Sequence, residues 1–322
     1  MKKTLVLTAL AAACAAPAFA QSSVTVYGRL NVTVESRKIG DDTDKGVFNN
    51  ASRIGFKGTE DLGGGLKAGF QIEHGFNPTT GAAAGTFWGR QAEVNLGGNF
   101  GLVRAGTFTS EAYFATADYV SMHNHDTGVS SDVMFADANN FSGAQRLAYR
   151  TPSLGGATVE LAGVNSYGGE RGYDLAANWV GGPLHLGAGY TKHGDSKAFA
   201  VRALYEMGAI TLGGYVQRAT DLADDQVSQV AGLGSRTVYR LSGMYTMGAT
   251  ELHLNFGKAG DTGGVADTGA NQITAGVNYN LSKRTKVYGF YTKVNNQAAA
   301  GYGTGAAGVD LSSLALGIRH NF

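Results

Sequence analysis

His123-Asn124-His125-Asp126 places two imidazoles and a carboxylate within four residues, donors that suit a transition metal. No distant third ligand completes the set, and the stretch reads more simply as a polar, hydrogen-bonded loop. Asp41-Asp42-Thr43-Asp44 offers oxygens for calcium, but the spacing misses the calcium-loop pattern and its twelfth-position Glu. The 7 His and many Ser make a Ser-His-acid site arithmetically possible, yet there is no Gly-x-Ser-x-Gly elbow to present a nucleophile. Gly63–Gly65 and Gly301–Gly305 are glycine-rich without the strand-to-helix unit that would cradle a phosphate. The sequence therefore assigns no catalytic residue, no metal and no cofactor.

A second set of charged residues has a different chemistry. Glu111, Asp118, Asp126, Asp132 and Asp137 fall between Thr109 and Gly143, a stretch with no Lys or Arg. Arg29, Arg53, Lys57, Arg104 and Arg146 occupy polar positions of alternating segments close to that stretch in chain order. On two sides of an aqueous opening such clusters set up a transverse field and determine ion preference. The competing reading is that the acids are solvated and the arginines pair with carboxylates such as Glu73. The loop acids lean toward a weak cation preference, and the arginines oppose it.

Those positions are held by period-two segments from end to end. Val24, Val26, Leu30, Val32 and Val34 share one face, opposite Thr25, Tyr27, Arg29, Asn31, Thr33 and Glu35. The same alternation recurs at Leu66–Glu73, Leu184–Tyr190, Gln272–Tyr279 and Ser313–Phe322. In a soluble sandwich, propeller or β-helix the apolar face would meet a second layer. Two features favour a membrane barrel. The other face carries small, polar and charged residues, as a wet lumen requires. Aromatics stand at segment ends (Tyr149, Trp179, Tyr190, Tyr205, Tyr245, Tyr279 and Phe322), where an interfacial girdle would lie.

Composition agrees. Charged residues are 16% of the 322 and Gly numbers 49, against about 25% charged and about 7% Gly in soluble domains. A mean hydropathy slightly below zero excludes a helical membrane protein. With 4 Pro and no strict glycine period, collagen is excluded, and 15 Tyr with 15 Phe argue against disorder.

The first twenty residues read as a cleaved signal peptide: basic Met1-Lys2-Lys3, apolar Thr4–Ala13, then small-x-small Ala18-Phe19-Ala20. The apolar stretch is too short to span a bilayer, and Ala11-Ala12-Ala13 before Cys14 matches a lipid-anchor site poorly. Residues 21–322 form the mature domain. Losing Lys2 and Lys3 takes 26 basic residues to 24 against 25 acidic, a formal charge of about −1, which gives no support for nucleic acid as a partner. Losing Cys14 removes the one cysteine and with it any disulfide framework.

Short turns are expected at Glu60–Gly65, Gly97–Gly101, Pro152–Gly156, Val180–Pro183, Met207–Ala209, Thr246–Ala249 and Asn280–Arg284. Longer polar loops are expected at Gly40–Asn50, Asn77–Gly85, Thr109–Gly143, Thr220–Ser235, Gly257–Gly269 and Asn295–Gly308. Short turns on one rim and long loops on the other define an outer-membrane barrel. Seven internal short turns, with both termini on that same rim, imply 16 antiparallel strands. A barrel of that size encloses an aqueous channel, and no plug domain precedes the first strand at Val24.

The stretch Ser52–Ala68 resembles the second hairpin of the Gram-negative trimeric general porins, and Phe100–Gly106 resembles their fifth strand. Tyr149-Arg150-Thr151-Pro152 and Tyr279–Thr285 are similar to two of their periplasmic turns, and Gly317–Phe322 to their terminal strand. Five such motifs in order cover essentially the whole mature chain. The resemblance implies a homotrimer of 16-stranded transmembrane barrels in the Gram-negative outer membrane, passing ions and small hydrophilic solutes by passive diffusion. It implies that the third loop, Thr109–Gly143, folds inward, and that Phe322 is the assembly signal. It further implies outer-membrane lipid and lipopolysaccharide as surroundings. Thr107 stands where many members have Arg, and the Pro-Glu-Phe-Gly-Gly stretch of their loop is missing, so pore size and selectivity do not transfer. The alternative is a barrel whose task is surface binding, as an adhesin or receptor, or hydrolysis. The long charge-bearing loop favours the channel.

Overall fold

The computed structural model describes residues 23–123, 133–139, 144–165, 171–221, 234–263 and 265–322. The signal segment 1–20 lies outside the described residues. The strands are β1 Ser23–Ile39, β2 Asp42–Asn49, β3 Arg53–Gly63, β4 Leu66–Gly75, β5 Gln91–Gly98, β6 Gly101–Thr107, β7 Gln145–Arg150, β8 Ala157–Asn165 and β9 Arg171–Gly181. They continue as β10 Leu184–His193, β11 Ser196–Met207, β12 Ile210–Thr220, β13 Ser235–Met247, β14 Thr250–Ala259, β15 Ala270–Asn280, β16 Thr285–Asn296 and β17 Leu311–Asn321. Each pairs antiparallel with its neighbours, and β17 returns to β1, so the sheet closes.

β2 and β3 are two halves of one barrel strand, which makes 16 around the ring. Both pair with β1, but Val32 faces Asn49 while Arg29 faces Arg53, so the outer strand carries one extra residue between them. Ala51 absorbs it at φ 56°, a β-bulge. The bulge is stitched down by Asn31, whose amide donates to Ser52 Oγ and whose Nδ2 donates to the Asn50 carbonyl, each at 3.0 Å. Closure is completed by reciprocal backbone bonds between Gly28 and Phe322, both 3.1 Å.

Period two places each residue on one face or the other. The outward face is apolar and uncovered: Leu316, Leu241 and Val24 are 70%, 67% and 65% exposed. No water-soluble monomer leaves so continuous an apolar surface bare, whereas a barrel in lipid must. The inward face is polar and covered, with Asn31, Thr33 and Glu35 of β1 and Gln217, Gln272 and Asn278 of later strands buried.

All seven expected short turns connect consecutive strands at one end. Gly182, Gly208 and Gly248 open two-residue turns at φ 61°, 61° and 59°, the geometry of hairpin turns with glycine first. At the other end two expectations need correcting. Gly40–Asn50 is a tight hairpin in which β2 runs along β1, because its polar side chains point to both faces while its backbone completes the ladder. A further two-residue turn joins β10 to β11 at Gly194-Asp195.

Candidate functional site

The longest connection leaves β6 at Phe108 and re-enters at β7, and its described parts bond to the polar face of the barrel. Ser110 caps a four-residue helix, α1 Glu111–Phe114, accepting from the Ala112 amide at 3.2 Å. Glu111 of this helix accepts from Arg150 of β7 and from Asn178 of β9. Further on, Arg202 of β11 donates to the Ala115 carbonyl at 2.9 Å and to Asn178 at 2.8 Å, with its guanidinium 3.6 Å over the Tyr119 ring. His123 then meets Asn255 of β14 at 3.1 Å, and its carbonyl accepts from Lys286 Nζ of β16 at 3.2 Å.

The returning part retraces that path. Phe135 packs edge-on against Tyr215 of β12, and Ala136 exchanges two hydrogen bonds with Gln217 at 2.9 and 2.8 Å. Asn139 Nδ2 donates to Asp174 and to the backbone carbonyls of Tyr173 and Lys192. Tyr113, Ala117, Val120 and Met134 are buried against Tyr215 and Val238 of the wall. An apolar seam thus lines one side of an otherwise polar interior, where an unpinned polar loop would stay in water.

The charges fall into two arrangements. On the arc beneath the loop they alternate in sign. Glu93 pairs with Arg104 at 2.6 Å, Arg104 with Glu160 at 3.5 Å, and Glu160 with Arg150, which also holds Glu111. Arg146 pairs with Asp174 at 2.8 Å. On the facing arc, β16–β17–β1–β3, cations stand directly opposite one another. Lys286 registers with Arg319, and Arg29 with Arg53. Like charges in direct cross-strand register oppose sheet pairing, so folding alone does not account for this ladder. Acids flank it: Glu73 is engaged by Arg90 at 2.6 Å and lies 3.8 Å from Arg53, and Glu35 pairs with Arg37.

Of the residues expected to line a constriction, Arg29 and Arg53 are in the ladder, and Arg29 also donates to Asn321 at 3.1 Å. Lys57 lies closer to the short-turn rim, its Nζ 5.3 Å from the Tyr27 ring. Arg104 and Arg146 are buried in the alternating network beneath the loop. Glu111 is bound to Arg150, Asp118 opens a short 3₁₀ turn, and Asp126 and Asp132 lie outside the described residues. Asp137 is wedged beside Asp174, with Oδ2 shielded from water. Burial, and then the Asp174 charge, push its carboxyl up to about 7. Burial also raises Glu111 above the usual carboxylate range, the Arg150 charge pulling the other way. Sequence reasoning missed Arg90, Arg150, Arg202, Lys286 and Arg319. The strand-borne four stand at inward positions of their strands, so carrying the period-two reading to every strand would have found them.

A closed barrel with a lipid-facing apolar exterior and a charged interior is an outer-membrane diffusion channel. The chain belongs to the Gram-negative porin family, whose model matches residues 6–299. It is 31% identical to outer membrane porin protein 32 of Delftia acidovorans and 26% identical to an outer membrane porin protein of Bordetella pertussis, each alignment covering all of both chains. Among solved structures it is similar to an anion-selective porin from Comamonas acidovorans, at a TM-score of 0.78 and 27% identity over 94% of this chain and 100% of that one. The Salmonella typhi OmpF complex with daunomycin shares the fold, at a TM-score of 0.74 and 16% identity over 93% of this chain and 97% of that one. The protein is an outer-membrane porin of a Gram-negative bacterium.

Proposed function

We propose that this porin is an anion-preferring channel for ions and small hydrophilic solutes, narrowed by the 109–143 loop. The observation that carries the reading is the cross-strand cation ladder of Arg53, Arg29, Arg319 and Lys286, which reaches the loop at one end, where Lys286 meets the His123 carbonyl. A cation preference would need the five loop carboxylates to act together. Glu111 is instead taken up by Arg150, and Asp137 is turned into the wall beside Asp174. Fewer loop acids then face the passing ion, while the opposing cations remain. A structural relative described as anion-selective supports the same sign.

The reading includes removal of residues 1–20 on export, assembly as a homotrimer within outer-membrane lipid and lipopolysaccharide, and no catalysed reaction. Phe322 serves as the assembly signal, in keeping with its place at the closure against Gly28. The test is the zero-current potential of the purified protein in a planar bilayer under a potassium chloride gradient. An anion-preferring channel drives the dilute side negative. A potential of opposite sign would show that the loop acids dominate.

A further inference from the structure

One apolar side chain is out of place in the barrel interior. Phe114 of α1 is 40% exposed. Every other exposed large apolar residue among the described residues lies on the outward face or in the loops, turns and strand tips of a rim. Single apolar residues on an outer surface are ordinary, but this one stands in the lumen of a channel. Its direction follows from its neighbours on the helix. Ala112 and Ala115 lie on Gly189 and Gly187 of β10, so closely that a side-chain carbon at either glycine would collide with them. Glu111 is held by Arg150 and Asn178. Tyr113 is buried edge-on against Phe135 of the returning part, with ring centroids 5.4 Å apart. The other three helical positions thus face the wall or the rest of the loop, and Phe114 takes the side left to water. The Tyr113 ring backs it, with 5.7 Å between centroids.

Topology sets what lies opposite. With β2 and β3 counted as one strand, β10 is eight strands from β1 and β9 is eight from β17, half the ring of 16. Arg29 of β1 and Arg319 of β17 therefore stand on the arc opposite the helix. Beside Phe114 the charges are already engaged: Glu111 by Arg150, and Arg202 by the Ala115 carbonyl and Asn178. An apolar ring on one side and cations on the other complement a solute that has both characters, since binding sites join apolar surface to a few placed polar groups.

We propose that Phe114 is a specificity-determining residue that selects small aromatic carboxylates, the solute ring packing on Phe114 and its carboxylate turned toward Arg29 and Arg319. The proposal rests on the anion preference above and names a solute class within it. A pair of aromatic rings is worth about a fivefold change in affinity beyond the area it buries. A saturated ring of similar size and equal charge forgoes that gain.

The experiment is block of the potassium chloride current through the purified protein in a planar bilayer, titrated separately with benzoate, cyclohexanecarboxylate and benzyl alcohol. The variants are Phe114→Leu, Phe114→Tyr and a control, Phe100→Leu, in a short turn at the rim. Heat-modifiable mobility on a gel establishes that each is folded. The half-blocking concentration should be about fivefold lower for benzoate than for cyclohexanecarboxylate in wild type, Phe114→Tyr and Phe100→Leu, and about equal for the two in Phe114→Leu. A ratio that Phe114→Leu leaves intact, or equal half-blocking concentrations in wild type, overturns the ring site. Benzyl alcohol blocking as strongly as benzoate overturns the carboxylate class. A cation-sign zero-current potential in potassium chloride overturns the anion reading and the carboxylate class with it, whereas the ring ratio is read independently of that sign.

Discussion

Arg29→Gln tests the cation ladder most sharply, because it removes one charge from the middle of the row. An ion passing about 5 Å from the guanidinium interacts with it by about 0.8 kcal/mol in water. Screening over a Debye length of about 10 Å at 0.1 M salt reduces this to about 0.5 kcal/mol. The sign is opposite for anions and cations, so their permeability ratio shifts by about 1 kcal/mol, roughly fivefold toward cations. At 1 M salt the Debye length falls to about 3 Å and the shift shrinks to less than about twofold. Reversal potentials of wild type and variant at both salt concentrations measure the effect. The variant should also fold at least as well as wild type, since Arg29 faces Arg53 directly and like charges in register are destabilising. An unchanged ratio at 0.1 M, or an equal shift at both concentrations, would refute the electrostatic reasoning.

Three further outcomes follow from the geometry. Arg202→Ala removes charged hydrogen bonds to Ala115 and Asn178, each worth about 1.5–3 kcal/mol. Single channels should then become noisier and more conductive, with Arg202→Lys in between; an unaltered open level would count against the loop as the constriction. Asp137 has its carboxyl raised to about 7 in the docked loop, against about 3.9 when free. The docked loop therefore binds the extra proton, and its stability is fully present below about pH 4 and lost as pH rises through about 7. Limited proteolysis of the loop should be slower at pH 5 than at pH 7.5 in wild type, and the difference should shrink in Asp137→Asn to the part left by Glu111; identical profiles would remove Asp137 as the cause. A side chain added at Gly28 would meet the Arg53 carbonyl and the Phe322 ring, each 2.5 Å from the added carbon. Gly28→Val should cost about 1–3 kcal/mol through overpacking and lower the yield of heat-modifiable barrel, whereas normal assembly would show that the closure is slack.

The barrel was legible because period two survives translation into structure residue by residue. The faces read from Val24–Glu35 are the faces the closed sheet presents, and the seven short turns read from the sequence all fall at one rim. Gly40–Asn50 escaped because β2 puts polar side chains on both faces and so shows no continuous apolar face. The wall arginines were legible as inward-facing, but their partners were not. Arg104 reaches Glu160 across 56 residues, and Arg202 reaches Ala115 across 87. Such pairings depend on inter-strand register and on where the loop docks, which no local pattern encodes. The loop acids looked like one cluster because they share a segment; their surroundings separate them.

The central claim is that the barrel is an open diffusion pore. Its most direct test is single-channel recording of the purified protein in a planar bilayer. The account predicts ohmic openings that appear in steps of three and stay open at low voltage. Silence from protein that still runs as a folded, heat-modifiable barrel would contradict it.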